Sequence, residues 1–203
     1  LLDDPDVTLD LHRTIARTTH VDLEWQDDAV TYFEYVLDAA QDDAEAVDAL
    51  NLLYRTLERW EDLLLVLRRK VELSAAAGNY DEVVELRFQE AELLQGPLGR
   101  ASEAIDCYRS ILDIKDDSLD AVRGLKFLHE SDDNWPGVVE AMARELDLVE
   151  ADGDEETAAS LRLQLGNIHQ HRLGDRDESV RWYATLLQAG TAGREPAVSA
   201  LEG

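Results

Sequence analysis

The stretch that decides the fold is AVDALNLLYRTLERWEDL at residues 46–63, which returns in altered form as AVRGLKFLHESDDNWPGV at residues 121–138. Both stretches place apolar residues three and four positions apart, the spacing of one face of an α-helix. Each pattern then breaks and resumes at a tryptophan, Trp60 in the first and Trp135 in the second. The pattern predicts two helices joined at a corner, and its return indicates an internal repeat.

The repeat extends well beyond this stretch. Residues 46–113 laid without gaps on residues 121–188 agree at 18 of 68 positions, and the same offset carries residues 8–45 onto residues 83–120. We call this offset, which carries residue 46 onto residue 121, the repeat shift. A block of this length holds two helical hairpins, because helices joined by short turns pack as antiparallel neighbours. A single hairpin cannot bury its apolar face alone, so we expect several to stack on one another.

The predicted organisation is all-α: one right-handed α-α superhelix, a solenoid of antiparallel helical hairpins over residues 1–203. Gly78 ends a predicted helix, where glycine suits a left-handed turn. The chain starts at Leu1 without methionine and stops as a new helical pattern begins, so we expect a piece of a longer protein. The predicted repeat units are 8–45, 46–82, 83–120, 121–157 and 158–195, followed by the start of a further unit at 196–203.

Several short motifs resemble the tetratricopeptide repeat (TPR) family, whose pattern runs W-x2-L-G-x2-Y and then A-x3-F in each unit. The small residue lets two helices approach closely, and the aromatic ring fills the space beside it. The chain departs from the family at Arg162, which stands in place of the tryptophan, and no proline ends any unit. The matching motifs are Ala29-x3-Phe33, Ala104-x3-Tyr108, and Leu165-Gly166-x2-His169 followed by Ser179-x3-Tyr183.

The resemblance, which is to bacterial-type TPR proteins, also implies where a partner would bind. In TPR arrays the first helix of each pair lines the concave face, so we expect a peptide or amphipathic helix to bind there. An apolar strip flanked by mixed charge suits an amphipathic segment. The alternative is that Phe88 and Phe127 are buried in the core. The expected partner-binding residues are Arg13, Arg17, Leu52, Arg55, Phe88, Glu92, Arg123, Phe127, Leu163 and Asn167.

The charge of the chain narrows the classes of partner. With 45 acidic and 19 basic residues, the net charge is −26. Nucleic acid is a poor partner for such a surface, because phosphate binding needs clustered lysine and arginine. Two explanations of the acidity remain open: adaptation to a salty habitat, where salt screens the self-repulsion, and an ordinary acidic protein. No apolar run approaches the roughly 18 residues of a membrane span, so no membrane insertion is expected.

Candidate catalytic and metal-binding residues are few, and each has a simpler structural interpretation. His169 and His171 diverge on a helix and cannot share a metal. The lone Cys107 forms no internal disulfide, which favours the cytoplasm, and we expect it to be buried and unreactive. Asp152-Gly153-Asp154 fits a turn followed by an acidic first helical turn better than a calcium loop.

The function expected from the sequence is therefore a non-catalytic protein-interaction scaffold without cofactor or metal. None of the common catalytic or nucleotide-binding motifs occurs in the chain. The alternative function is a structural spacer or assembly module within a longer multidomain protein.

Overall fold

The computed structural model describes residues 5–20 and 25–188, and this part of the chain contains α-helices and no β-strand. The predicted all-α fold is confirmed. The start of a further unit at 196–203 lies outside the described residues. The helices are α1 Pro5–His20, α2 Gln26–Ala39, α3 Ala44–Thr56, α4 Trp60–Ala76, α5 Tyr80–Gln95, α6 Ala101–Ile114, α7 Leu119–Ser131, α8 Trp135–Asp152, α9 Glu155–Ile168 and α10 Arg176–Gln188.

The helix bounds follow the repeat found in the sequence. The repeat shift carries the bounds of α1, α2 and α3 onto those of α5, α6 and α7 residue for residue. It also takes the start of α4 at Trp60 to the start of α8 at Trp135. The two tryptophans therefore hold equivalent places, each at the beginning of a second helix.

The turns between helices repeat as well. Gly78 and Gly153 have φ angles of 75° and 78°, so the predicted left-handed turn at Gly78 is confirmed. A side chain is disfavoured at such an angle, which explains the glycine. At the preceding corner, Glu58 and Asp133 adopt φ angles of 55° and 51° without being glycine. Each copy of the repeat thus bends its backbone in the same way.

The packing divides the chain into two compact units, residues 1–100 and 101–203. Unit 1 contains α1–α5, and unit 2 contains α6–α10. Within each unit, helices adjacent in sequence pack against each other. The boundary falls inside the predicted repeat unit 83–120, between its two helices.

The small and aromatic residues of the TPR-like motifs lie in the core, as the resemblance implied. Ala29 and Phe33 are buried in unit 1, and in unit 2 the pairs Ala104–Tyr108 and Ser179–Tyr183 are buried as well. A Cβ atom added at Gly166 would lie 2.3 Å from the ring of Tyr183. Only glycine leaves room for the ring there, so the close approach of α9 and α10 depends on it.

The helical path departs from the repeat after α9. In unit 1, α5 ends before Gly96-Pro97, and proline cannot donate the backbone hydrogen bond that a longer helix would need. His171 and Arg172 replace this pair in unit 2, and the chain continues through a π-helical turn at His169–Leu173. The turn ends at Gly174, whose φ angle is 68°.

Candidate functional site

The expected partner-binding residues lie on the first helices of the hairpins, which are α1, α3 and α5 in unit 1 and α7 and α9 in unit 2. Two of them are large, apolar and exposed. Leu52 on α3 is 55% exposed, and Phe127 on α7 is 58% exposed. The repeat shift carries the first onto the second, so they occupy the same position of the repeat. We call Leu52 and Phe127 the anchor residues.

The other two apolar candidates, Phe88 and Leu163, form a second pair related by the repeat shift, and both are only partly exposed. Leu163 packs against Tyr183 and Leu186 in the core of unit 2. The exposure of Phe127 rules out the alternative in which that ring is buried in the core. Among the expected binding residues, the exposed apolar surface is therefore concentrated at the anchor residues.

The two arginines of α1 are held by carboxylates of unit 1. A nitrogen of Arg13 lies 2.5 Å from Asp43, and a nitrogen of Arg17 lies 2.5 Å from Glu45. Asp43 also caps α3 by accepting a hydrogen bond from the backbone N–H of Ala46. Burial alone would raise the pKa of Asp43, but these hydrogen bonds and the nearby guanidinium lower it overall. The arginines thus tie α1 to the start of α3.

Around Leu52, one charge is neutralised within unit 1 and another is not. Asp48, one turn before the anchor, lies 2.7 Å from the amine of Lys70. Arg55, three positions after the anchor, donates to the side-chain oxygen of Gln89 on α5 at 3.3 Å. Arg55 has no carboxylate partner among the described residues. Glu92, another expected binding residue on α5, is exposed.

Around Phe127 the signs of the flanking charges are reversed: the residue before the anchor is positive and the residue after it is negative. Arg123, one turn before the anchor, lies 2.8 Å from Glu145, which Lys126 also contacts at 2.6 Å. Glu145 is 3% exposed. Burial raises its pKa, but the hydrogen bonds from Lys126 and Arg123 outweigh burial, and the net pKa is lowered. Glu130, three positions after the anchor, has no cationic partner in the described part of the chain.

Asn167, the last of the expected binding residues, has a structural contact. The hydroxyl of Tyr183 lies 2.8 Å from the side-chain oxygen of Asn167 and 2.9 Å from that of Gln170, and the two oxygens share the single hydroxyl proton. These bonds satisfy the hydroxyl of a ring that is otherwise buried. Asn167 therefore fixes α9 against α10 within unit 2.

The residues considered for chemistry occupy structural places. Cys107 is buried and forms no disulfide, as expected. Asp154 caps α9 by accepting a hydrogen bond from the N–H of Thr157, which confirms the predicted turn and acidic first helical turn. His169 is buried, whereas His171 is exposed. Among the described residues, no three histidine, cysteine or acidic side chains are placed to hold a metal, and no helix is long and apolar enough to cross a membrane.

Each unit also has a cavity beside its second helices, at equivalent positions of the repeat. The cavity in unit 1 has a volume of about 320 Å³, and that in unit 2 about 290 Å³. An arginine side chain borders each one: Arg69 donates to the backbone oxygen of Gln41, and Arg144 to that of Asp116. Leu65 on α4, 65% exposed, lines the cavity of unit 1. These cavities, which we call the rival cavities, are the alternative to the anchor residues as a place for a partner to bind.

The sequence analysis missed that Lys70 and Glu145 contact the charges beside the anchors. A signal for them existed in the repeat. Under the repeat shift, Asp48 becomes Arg123 and Lys70 becomes Glu145, so both members of the pair change sign together. This paired change of sign agrees with the contacts that the structure shows between the two positions.

Comparison with known proteins gives a likeness of fold. No family model and no curated protein matches the sequence. The structure is similar to MamA, with a TM-score of 0.50 and 17% identity over 90% of this chain and 91% of that one. YrrB, a TPR protein with an unusual peptide-binding site, has a TM-score of 0.47 and 11% identity over 95% of this chain and 91% of that one. BtubC from P. vanneervenii has a TM-score of 0.47 and 14% identity over 98% of this chain and 89% of that one. The chain has a TPR-like helical-repeat fold.

Proposed function

We propose that this chain is a non-catalytic protein-interaction scaffold that binds a peptide or an amphipathic helix of another protein on its first helices. The observation that carries the proposal is the recurrence of a large, exposed apolar side chain, Leu52 or Phe127, at one repeat position in each unit. Scattered exposed apolar residues are ordinary on protein surfaces. Exposure of both copies of one repeat position gives each unit an apolar binding position at the same place of the repeat.

The surroundings of the anchors support a peptide ligand. Charged side chains flank each anchor along its helix, so an apolar side chain of a partner would meet an apolar centre with a polar rim, the usual anatomy of a protein interface. The partner would gain most of its affinity at the anchors, because a few buried apolar or aromatic residues dominate binding energy. The remaining contacts would set orientation.

The test compares partner capture by the wild-type chain with capture by a Leu52→Ser/Phe127→Ser variant. Proteins retained from an extract of the native host are identified, and the binding of each purified partner is then titrated. We expect the double variant to bind at least tenfold more weakly, since the loss of a hot-spot side chain costs about 2 kcal/mol. Urea unfolding should change by less than about 0.5 kcal/mol per substitution, because both side chains are exposed.

Leu65→Ser is the matched control, since Leu65 is equally apolar, is exposed and lies on a second helix beside the rival cavity. We expect it to leave partner binding unchanged. Binding that survives the loss of both anchors but is lost in Leu65→Ser would move the site to the second helices and overturn the proposal.

A structural spacer remains the second candidate, and one observation favours it: Arg13, Arg17 and Arg123 are all engaged by carboxylates of their own unit. A spacer needs such internal pairs and no ligand. Failure to retain any partner that depends on the anchors would support this second candidate.

A further inference from the structure

The residue three positions after each anchor has opposite charge in the two copies of the repeat. In unit 1 it is Arg55, after Leu52, and in unit 2 it is Glu130, after Phe127. Residues three positions apart are neighbours on a helix surface. The turn that follows each anchor therefore has one charge on the same face as the anchor, positive in unit 1 and negative in unit 2.

Among the charged residues within one turn of each anchor on its own helix, these two are the ones without an ion pair. Arg55 donates only to the neutral side chain of Gln89, and Glu130 has no cationic partner among the described residues. The charges on the other side of the anchors are already engaged, Asp48 by Lys70, and Arg123 together with Lys126 by Glu145. A ligand charge gains more from an unpaired side chain than from one that is already paired, since it need not displace an existing partner.

We infer that Arg55 and Glu130 determine the charge of the segment that each anchor binds. The segment at Leu52 carries a carboxylate beside its apolar side chain, and the segment at Phe127 carries an amine or a guanidinium. The inference rests on the proposed function, because it assumes that the anchors bind apolar side chains of a partner. It adds a specificity that a TPR-like fold does not by itself supply.

The experiment uses two synthetic amphipathic peptides that share one leucine face and differ only in bearing glutamate or lysine beside it. Their binding to the full chain is measured by fluorescence anisotropy at about 0.15 M salt, where screening acts beyond about 8 Å. We expect Leu52→Ala to weaken mainly the glutamate peptide and Phe127→Ala mainly the lysine peptide. A third peptide keeps the lysines and has serine in place of leucine. Its binding measures the general attraction of a chain with net charge −26 for cations, without the apolar face.

The decisive variants are Arg55→Glu and Glu130→Arg. Exposed ion pairs contribute up to about 1 kcal/mol, and a reversal replaces attraction by repulsion, so each swap should change affinity about three- to tenfold. Arg55→Glu should weaken the glutamate peptide, and Glu130→Arg should weaken the lysine peptide. Arg181→Glu on α10 and Asp147→Arg on α8 make the same charge changes at exposed positions of second helices, away from the cavities, and control for net charge.

The outcomes separate the inference from the proposed function. If the anchors are needed for binding but the swaps act no more strongly than the control swaps, the inference is overturned and the proposed function stands. If binding of both peptides is indifferent to Leu52→Ala and Phe127→Ala, the surface is not a binding site and both are overturned. Absence of binding by either peptide would also overturn the inference.

Discussion

Residues 44–95 and residues 119–173 are two copies of the same structural block that differ in their ionic contacts. Both contain a short helix, a corner with a positive φ angle, a longer helix, a left-handed glycine and a third helix. The apolar spacing and the turn residues are kept, because they determine whether the helices can pack. The charged residues are free to change as long as each contact stays complementary.

The clearest case is an ion pair whose members have exchanged sign. Asp48 and Lys70 lie 2.7 Å apart in the first copy, and Arg123 and Glu145, at the equivalent positions, lie 2.8 Å apart in the second. Coulomb attraction depends on the product of the two charges, so exchange preserves it. The helix packing constrains where the two side chains meet and leaves open which of them is acidic.

A second contact is ionic in the first copy and apolar in the second. Glu90 is 1% exposed and is held by Arg68 at 2.7 Å and by Arg87 at 2.6 Å. Its equivalent is Leu165, which is fully buried, and the equivalent of Arg68 is Ala143. The same site therefore accepts either a paired charge or hydrocarbon, in line with the small net stability of buried ion pairs.

The largest expected effect comes from placing the buried carboxylate of the first copy into the second. Leu165→Glu should destabilise the chain by about 3–5 kcal/mol, because Arg162, the equivalent of Arg87, is already paired with Glu150 and Arg68 has no equivalent in the second copy. Urea unfolding measures the loss. Adding Ala143→Arg should recover part of it, since the second copy would then hold both partners of the first. No recovery would mean that the two sites are not equivalent in geometry.

Gly166→Ala should have the next largest effect, a loss of about 1–3 kcal/mol in urea unfolding. The added methyl group would overlap the ring of Tyr183, and this cost exceeds the roughly 1 kcal/mol that alanine gains in a helix. Ala91, the equivalent residue, is already alanine and is fully buried. Ser160→Ala on the exposed side of the same helix is the control and should change stability by less than about 0.5 kcal/mol. An unchanged or increased stability for Gly166→Ala would contradict the close packing of α9 and α10.

Glu145→Gln should cost about 1–2 kcal/mol at neutral pH, because the buried carboxylate accepts hydrogen bonds from two cations. The pKa of Glu145 is lower in the folded chain than its ordinary value of 4.5. Its contribution is therefore present above pH 4.5 and is lost as the pH falls through the folded pKa. Urea unfolding of wild type and variant between neutral and acidic pH should show the two curves converging below pH 4.5.

The control for this experiment is Glu140→Gln, on the same helix but exposed. It should show little difference from wild type at any pH. A gap between wild type and Glu145→Gln that persists in acid would show that shape, and not charge, explains the contribution of Glu145.

The smallest expected effect is an exchange of the more exposed ion pair. Asp48→Arg or Lys70→Glu alone should cost up to about 1 kcal/mol, and the double variant should return to within about 0.5 kcal/mol of wild type. The double variant gives the first copy the charge order of the second. A double-mutant cycle from urea unfolding checks the recovery, and purely additive losses would mean that the two side chains do not interact.

Much of the fold follows from local features of the sequence. The repeat shift, the corner before Trp60 and the left-handed turn at Gly78 were all predictable, because helix spacing and turn chemistry act over short distances. The burial of Ala29 and Phe33 was implied by the resemblance to the TPR family. The π-helical turn at His169–Leu173 was not predicted. Its one visible signal is the absence of the Gly96-Pro97 pair from the second copy.

The sequence by itself determined the helices, their order and their turns, because these depend on periodic spacing and on the conformational limits of single residues. The candidate surface of first helices came instead from the resemblance to TPR arrays. The tertiary structure decided which candidates are available to a partner. Leu52 and Phe127 are exposed, whereas Arg123 is held by Glu145 and Asn167 by Tyr183. Exposure and pairing depend on side chains brought together from distant positions of the chain, and helical spacing alone contains no information about which of them meet.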